Sequence, residues 1–143
     1  MNKIDESQLK NMKADEIFKL RRHFADNRDI ESLLTIAKHR FVRGSAATNE
    51  SNFPEMCYYF GRLQRLKEFE EFLSDKSFYL AMLPKSCLIL AQNLLPIGVK
   101  FPNLEEQEIT YLEEKYSDPV TFELFDIIMF DADRLPRPIK KFE

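Results

Sequence analysis

Apolar side chains recur at intervals of three and four residues through most of this chain, and no other feature restricts its fold as strongly. The spacing is nearly ideal for Ile30, Leu33, Leu34, Ala37 and Phe41. Because such positions share one face of an α-helix, the pattern predicts amphipathic helices over 6–25 and 29–43. We expect Asp29 to cap the second helix and Gly44 to end it in the left-handed conformation. The short separation predicts an antiparallel, basic helical hairpin over 6–43.

The segment 54–101 is expected to supply the central core helices. Before it, the polar stretch GSAATNESNF at 44–53 predicts an exposed loop, and Pro54 is expected to open the next helix. Residues 77–101 are apolar almost throughout, which is typical of a helix buried on all sides. We therefore expect the centre of the bundle here, interrupted at Pro84.

The C-terminal part of the chain separates its charges. Residues 104–133 hold ten acids and one base, and they predict acidic, aromatic helices, the last of which opens at Asp118 and Pro119. Residues 134–143 hold four bases and two prolines, which predicts an extended tail. Such asymmetry is typical of an interaction surface.

Length and composition indicate one soluble globular domain over 1–143. The chain is 44% hydrophobic and 31% charged, with three glycines and seven prolines. It contains neither a signal-like segment nor an apolar run of about eighteen residues, so we expect a cytoplasmic protein and no membrane. Cys57 and Cys87 are expected to be buried free thiols. The predicted fold is all-α, a compact single-domain bundle of five or six helices with an extended C-terminal tail.

No motif predicts a reaction. His23 and His39 lie in basic stretches typical of a charged surface, and Asp131 and Asp133 lack the remaining ligands of an acidic metal-binding loop. Neither GxGxxG nor GxxxxGK occurs. The sequence therefore predicts no catalytic, cofactor-binding or metal-binding residue and no cofactor, and a small enzyme with an unfamiliar site ranks third among the functional alternatives.

The leading hypothesis is a non-enzymatic interaction or regulatory protein that docks through its C-terminal third. As a helix, residues 118–133 would be apolar around more than half of the circumference, which is more than one core contact needs. The expected partner is another protein with a basic surface. The predicted anchors are Phe122, Phe125 and Phe130, and the acids expected to orient the partner are Asp126, Asp131 and Asp133. The alternative is a final helix buried on both sides by the rest of the bundle.

The second hypothesis is nucleic-acid binding through the basic hairpin. Its candidate residues are Arg21, Arg22, Lys38, Arg40 and Arg43. Such cations would neutralise phosphates and release counterions. Cations near a helix C-terminus also have a purely structural explanation in the helix dipole, and the sequence pI of about 5.5 opposes a general affinity for nucleic acid.

Overall fold

A computed structural model describes residues 4–95, 105, 107, 110 and 122–130 of the chain. Within these ranges lie α1 (Glu6–Leu9), α2 (Ala14–Asp26), α3 (Ile30–Arg43), α4 (Ala46–Leu63), α5 (Leu66–Ser74), α6 (Ser77–Ala81), α7 (Lys85–Asn93) and α8 (Phe122–Phe130). The all-α prediction is confirmed. The described residues contain eight helices rather than the five or six expected, in part because the helix predicted over 6–25 is divided in two.

The predicted hairpin is present, and its second helix begins where expected. Asp29 caps α3, accepting from the backbone amide of Ser32 at 3.2 Å and from its hydroxyl at 2.7 Å. Before it, Arg28 has a left-handed backbone with φ of 52°. The hairpin packs α2 against α3.

The prediction for Gly44 is wrong in its conformation. Gly44 ends α3 with φ of −81° and ψ of 165°, which is extended backbone rather than left-handed. The restriction at this position is space, since a Cβ here would lie 2.6 Å from Oγ1 of Thr48 and 2.8 Å from the carbonyl oxygen of Arg40. Glycine therefore permits α4 to start close against the end of α3.

The helix predicted over 6–25 is divided into α1 and α2. Each part has its own N-terminal hydrogen bonds: Asp5 exchanges bonds of 2.9 and 3.1 Å with Gln8, and the Glu16 carboxylate accepts from the Lys13 amide at 3.1 Å. The break allows α1 to pack on α3, with Leu9 fully buried.

The loop predicted over 44–53 is wrong, because α4 begins at Ala46. Its polar residues are partly internal: the Asn52 amide donates to Oδ1 of Asn49 at 3.2 Å, and the Asn49 amide donates to the Phe41 carbonyl at 3.0 Å. Both asparagines are buried. Polar composition indicated a loop, whereas these side chains satisfy each other inside the bundle.

The bundle is centred on α4, and the expectation that residues 77–101 form its centre is wrong for the described part of that range, 77–95. The five residues Met56–Phe60 are all fully buried, and α4 contacts α3, α5, α7 and α8. In contrast, α6 exposes Phe78 to 72% and Met82, just after it, to 50%. The continuous apolar run at 56–60 is the part of the chain that neighbours surround. Pro84 does interrupt the later segment, directly before α7.

Pro54 lies inside α4 rather than at its start. Proline has no amide hydrogen, so the carbonyl of Glu50, four residues earlier, loses its helical donor. The Cys87 thiol of α7 donates to this carbonyl at 3.4 Å. Both cysteines are free and buried, as predicted. Burial raises the pKa of the Cys87 thiol to about 12, so the thiol keeps the hydrogen that this bond requires.

Candidate functional site

A cavity of about 360 Å³ lies between α1, α2, the end of α3 and the start of α4. Its basic lining residues are Lys10, Arg21, His39, Arg40 and Arg43. Leu9, Met12, Ile17 and Phe18 form its apolar wall, and Gly44, Thr48 and Asn52 contribute from the α3–α4 junction. We call this space the basic cavity. Residues from four helices line it. They lie next to each other because the chain breaks between α1 and α2.

Three of the cavity's cations are available to a ligand. Lys10 and Arg43 are exposed, and Arg40 is half-buried. Within the part of the chain that the structure describes, no carboxylate lies at ion-pair distance from any of the three. Their charges therefore add up to a positive potential at the cavity mouth.

Arg21 has a different role from the other cations. Its guanidinium lies 2.9 Å from Oε1 of Glu55, which also accepts from the Tyr59 hydroxyl at 2.6 Å. Nη2 of Arg21 also lies 4.0 Å from Sδ of Met129 in α8. Glu55 largely neutralises the charge of Arg21. Arg21 therefore has a structural role, in which it connects the cavity lining to α8.

Two buried polar side chains line the same cavity. His39 and Asn52 are each only 4% exposed. The hydrogen bond to Asn49 fixes the amide orientation of Asn52 and uses one of its two amide hydrogens. A polar lining at this depth can provide hydrogen bonds to a bound group that is itself polar.

The surroundings of His39 favour its neutral form. Burial lowers the pKa of His39, and the charge of Arg43 lowers it further. Glu6, whose Oε1 lies 3.9 Å from Nδ1, opposes this shift, while Lys10 adds to it. The imidazole is therefore a proton acceptor with Arg43 and Lys10 nearby, and an anion entering the cavity would favour its protonation.

Phe18 is the aromatic residue of the cavity wall, and 57% of it is exposed. Phe18 is not among the residues predicted from the sequence, because the apolar stripe of α2 passes through Ile17, Leu20 and Phe24 instead. The available signal was its position off that stripe, between Lys13 and the arginines of α2. A large exposed ring beside a basic cavity provides a flat surface for stacking.

The structure brings together three of the five residues predicted to bind nucleic acid. Arg21, Arg40 and Arg43 line the basic cavity, whereas Arg22 is exposed on α2 outside its lining. Lys38 lies elsewhere, with Nζ 3.6 Å from Oε1 of Glu68 and 5.9 Å from the centre of the Phe60 ring. It lines a separate, smaller cavity of about 180 Å³.

The described residues of the predicted docking surface contact the bundle. Phe125 stacks on Tyr58 with ring centres 4.4 Å apart, Asp126 accepts a hydrogen bond from the Tyr58 hydroxyl, and Arg28 lies 5.0 Å above the Phe130 ring. All three predicted residues are half-buried. Phe122 belongs to α8 although its side chain is not described, and Asp131 and Asp133 lie outside the described residues. Docking of a protein partner here stays a prediction.

Other chemistries have little to support them in the described ranges. These residues contain no group of three or more His, Cys, Asp and Glu side chains that could hold a metal ion. No described helix combines the length and apolar character needed to cross a membrane. His23 is exposed, and its ring lies 3.5 Å from the Asn27 amide nitrogen.

Comparison with protein-family models, curated protein sequences and solved structures gives no match for this chain.

Proposed function

We propose that this protein binds single-stranded nucleic acid at the basic cavity. The supporting observation is the convergence of Lys10, Arg40 and Arg43, which have no ion-pair partner among the described residues, with an exposed Phe18 on one cavity. Cations neutralise backbone phosphates, and an aromatic ring stacks on a base with a contribution of about 1–3 kcal/mol. Unpaired bases present their faces to such a ring, which favours a single strand over a duplex.

The net charge of −3 is compatible with this proposal. Exposed charges are screened over about 8 Å at physiological ionic strength, so the cations in contact with the strand dominate its binding. The acidic residues at 104–133 then affect long-range steering more than contact energy.

Fluorescence anisotropy with a labelled single-stranded oligonucleotide, titrated at several salt concentrations, tests the proposal. We expect binding that weakens steeply with salt. Arg40→Gln and Arg43→Gln should each weaken binding of all sequences and reduce the slope of log affinity against log salt by about one, since each removes a phosphate contact.

Lys67→Gln is the matched control, because Lys67 is an exposed cation on α5 that does not line the basic cavity. It removes the same charge from the molecule and should leave the salt slope unchanged. If Lys67→Gln weakens binding as much as Arg43→Gln, the attraction is non-specific and the proposal fails. Absence of binding at low salt would also contradict it.

A further inference from the structure

The basic cavity has the size of one small ligand group rather than of a strand. Its volume of about 360 Å³ lies at the lower end of the roughly 300–1,000 Å³ typical of ligand pockets. An internal nucleotide in such a cavity needs room for the chain to continue on both sides. A terminal nucleotide needs room for the chain on one side only. The volume therefore favours a terminal group over an internal phosphodiester.

The start of α4 adds to the positive potential of the cavity. Thr48 lies in the first turn of this 18-residue helix and lines the cavity beside Gly44. Amides at the N-terminus of a helix favour phosphate groups. His39 from α3 and Asn52 from α4 also line the cavity with polar side chains that are more than nine-tenths buried. These features together fit a compact, highly charged oxyanion.

A terminal phosphate monoester matches the charge of this cavity. It carries about −1.5 to −2 near pH 7, whereas an internal phosphodiester carries a single charge. Lys10, Arg40 and Arg43 provide three positive charges that no described carboxylate neutralises. Building on the proposed function, we infer that the basic cavity binds the terminal phosphate monoester of a single-stranded nucleic acid.

Phe18 provides a ring on which the base next to the bound phosphate can stack. The ring belongs to the wall of the same cavity and is 57% exposed. With the phosphate among the cations, the base of the terminal nucleotide stacks on this ring, and the rest of the strand leaves across the exposed Lys10 and Arg43.

Anisotropy measurements with three forms of one internally labelled oligonucleotide test the inference. The forms carry a 5′-phosphate, a 3′-phosphate or two hydroxyl ends. We expect one phosphorylated form to bind about tenfold tighter than the hydroxyl form, because the added charge makes further charge-assisted hydrogen bonds. Lys10→Gln and His39→Gln should each reduce this preference. Lys10 is exposed, so its variant reports on binding even if replacement of the buried His39 disturbs the fold.

The outcomes separate the inference from the proposed function. Equal affinity for all three forms, with salt-dependent binding intact, overturns the inference and leaves the proposed function in place. Failure of every form to bind at low salt overturns both. Competition by a free mononucleotide identifies the source of the phosphate: it should bind more weakly than the phosphorylated strand, and equal affinity would overturn the assignment to strand ends.

Discussion

Three arginines line the basic cavity, and their neighbours give them different roles. Arg21 is held by Glu55 at 2.9 Å and contacts Met129, so it stabilises the junction with α8. Arg40 and Arg43 have no such partner among the residues that the structure describes. Arg21 is therefore a structural cation, whereas Arg40 and Arg43 can bind a ligand.

Replacing Phe18 should weaken oligonucleotide binding without affecting the fold. Phe18→Ala removes the ring on which a base would stack, and we expect a loss of about tenfold in affinity, measured by anisotropy. Thermal unfolding should change little, because the side chain is 57% exposed.

Phe18→Leu is the matched control for this prediction. Leucine keeps an apolar side chain at the cavity wall but has no aromatic face, so affinity should fall nearly as far as in Phe18→Ala. Full affinity in Phe18→Leu would mean that simple apolar contact is sufficient, and the stacking argument would be wrong.

Only some residues of this site could be predicted from the sequence. Arg40 and Arg43 follow from helical spacing at the end of α3, because local periodicity defines that helix. Lys10 reaches the cavity only because α1 and α2 are separate helices, and a pattern of three-and-four spacing across residues 6–25 conceals that break. Phe18 became a candidate only when the apolar stripe of α2 had been assigned to the core.

At the scale of elements, α8 is attached to the bundle through Asp126. This carboxylate accepts from the hydroxyl of Tyr58, which is fully buried, and lies 3.6 Å from Nε of Arg62. Asp126→Ala should lower the free energy of unfolding by about 1–3 kcal/mol, because the buried hydroxyl loses this acceptor. Urea unfolding measures the change.

Tyr58→Phe removes the same hydrogen bond from the other side and serves as the control. If the bond carries the effect, the double variant should be little less stable than either single variant. A stable Asp126→Ala protein that has lost a protein partner would instead support the hypothesis of docking through the C-terminal third.

Helices were predictable where the apolar residues lie on one face. They were not predictable where tertiary contacts determine where a helix begins or ends. The helix α3 followed from apolar spacing, and its cap followed from the residue type of Asp29. The start of α4 did not, because the Asn49 amide bonds to the Phe41 carbonyl of α3, a contact that only the folded bundle provides. A local pattern also cannot indicate that Gln64 adopts a left-handed backbone with φ of 55°, which separates α4 from α5.

At the scale of the whole molecule, His39 links stability to pH. Burial and the charges of Arg43 and Lys10, opposed by Glu6, lower the pKa of His39 from its ordinary 6.5. Below that value the unfolded chain takes up a proton more readily than the folded protein does, so the free energy of unfolding decreases as the pH falls through about 6.5. His39→Gln should make this dependence shallower in urea unfolding between about pH 5.5 and 7.5.

His23→Gln is the control for the pH experiment, since it removes the other, exposed histidine and leaves His39 and its charged neighbours in place. A saturating phosphorylated oligonucleotide should also make the dependence shallower, because the bound anion favours protonated His39. An identical slope in His39→Gln and the unmodified protein would contradict the role assigned to the imidazole.

The Cys87 thiol, which donates to the carbonyl left without a helical donor by Pro54, also allows the opening of the core to be measured chemically. Alkylating reagents react with thiolates, and burial keeps Cys57 and Cys87 protonated and out of their reach. Modification therefore requires α4 and α7 to separate first. The rate at which an alkylating reagent labels the unmodified protein then measures how often its centre opens, without any introduced probe.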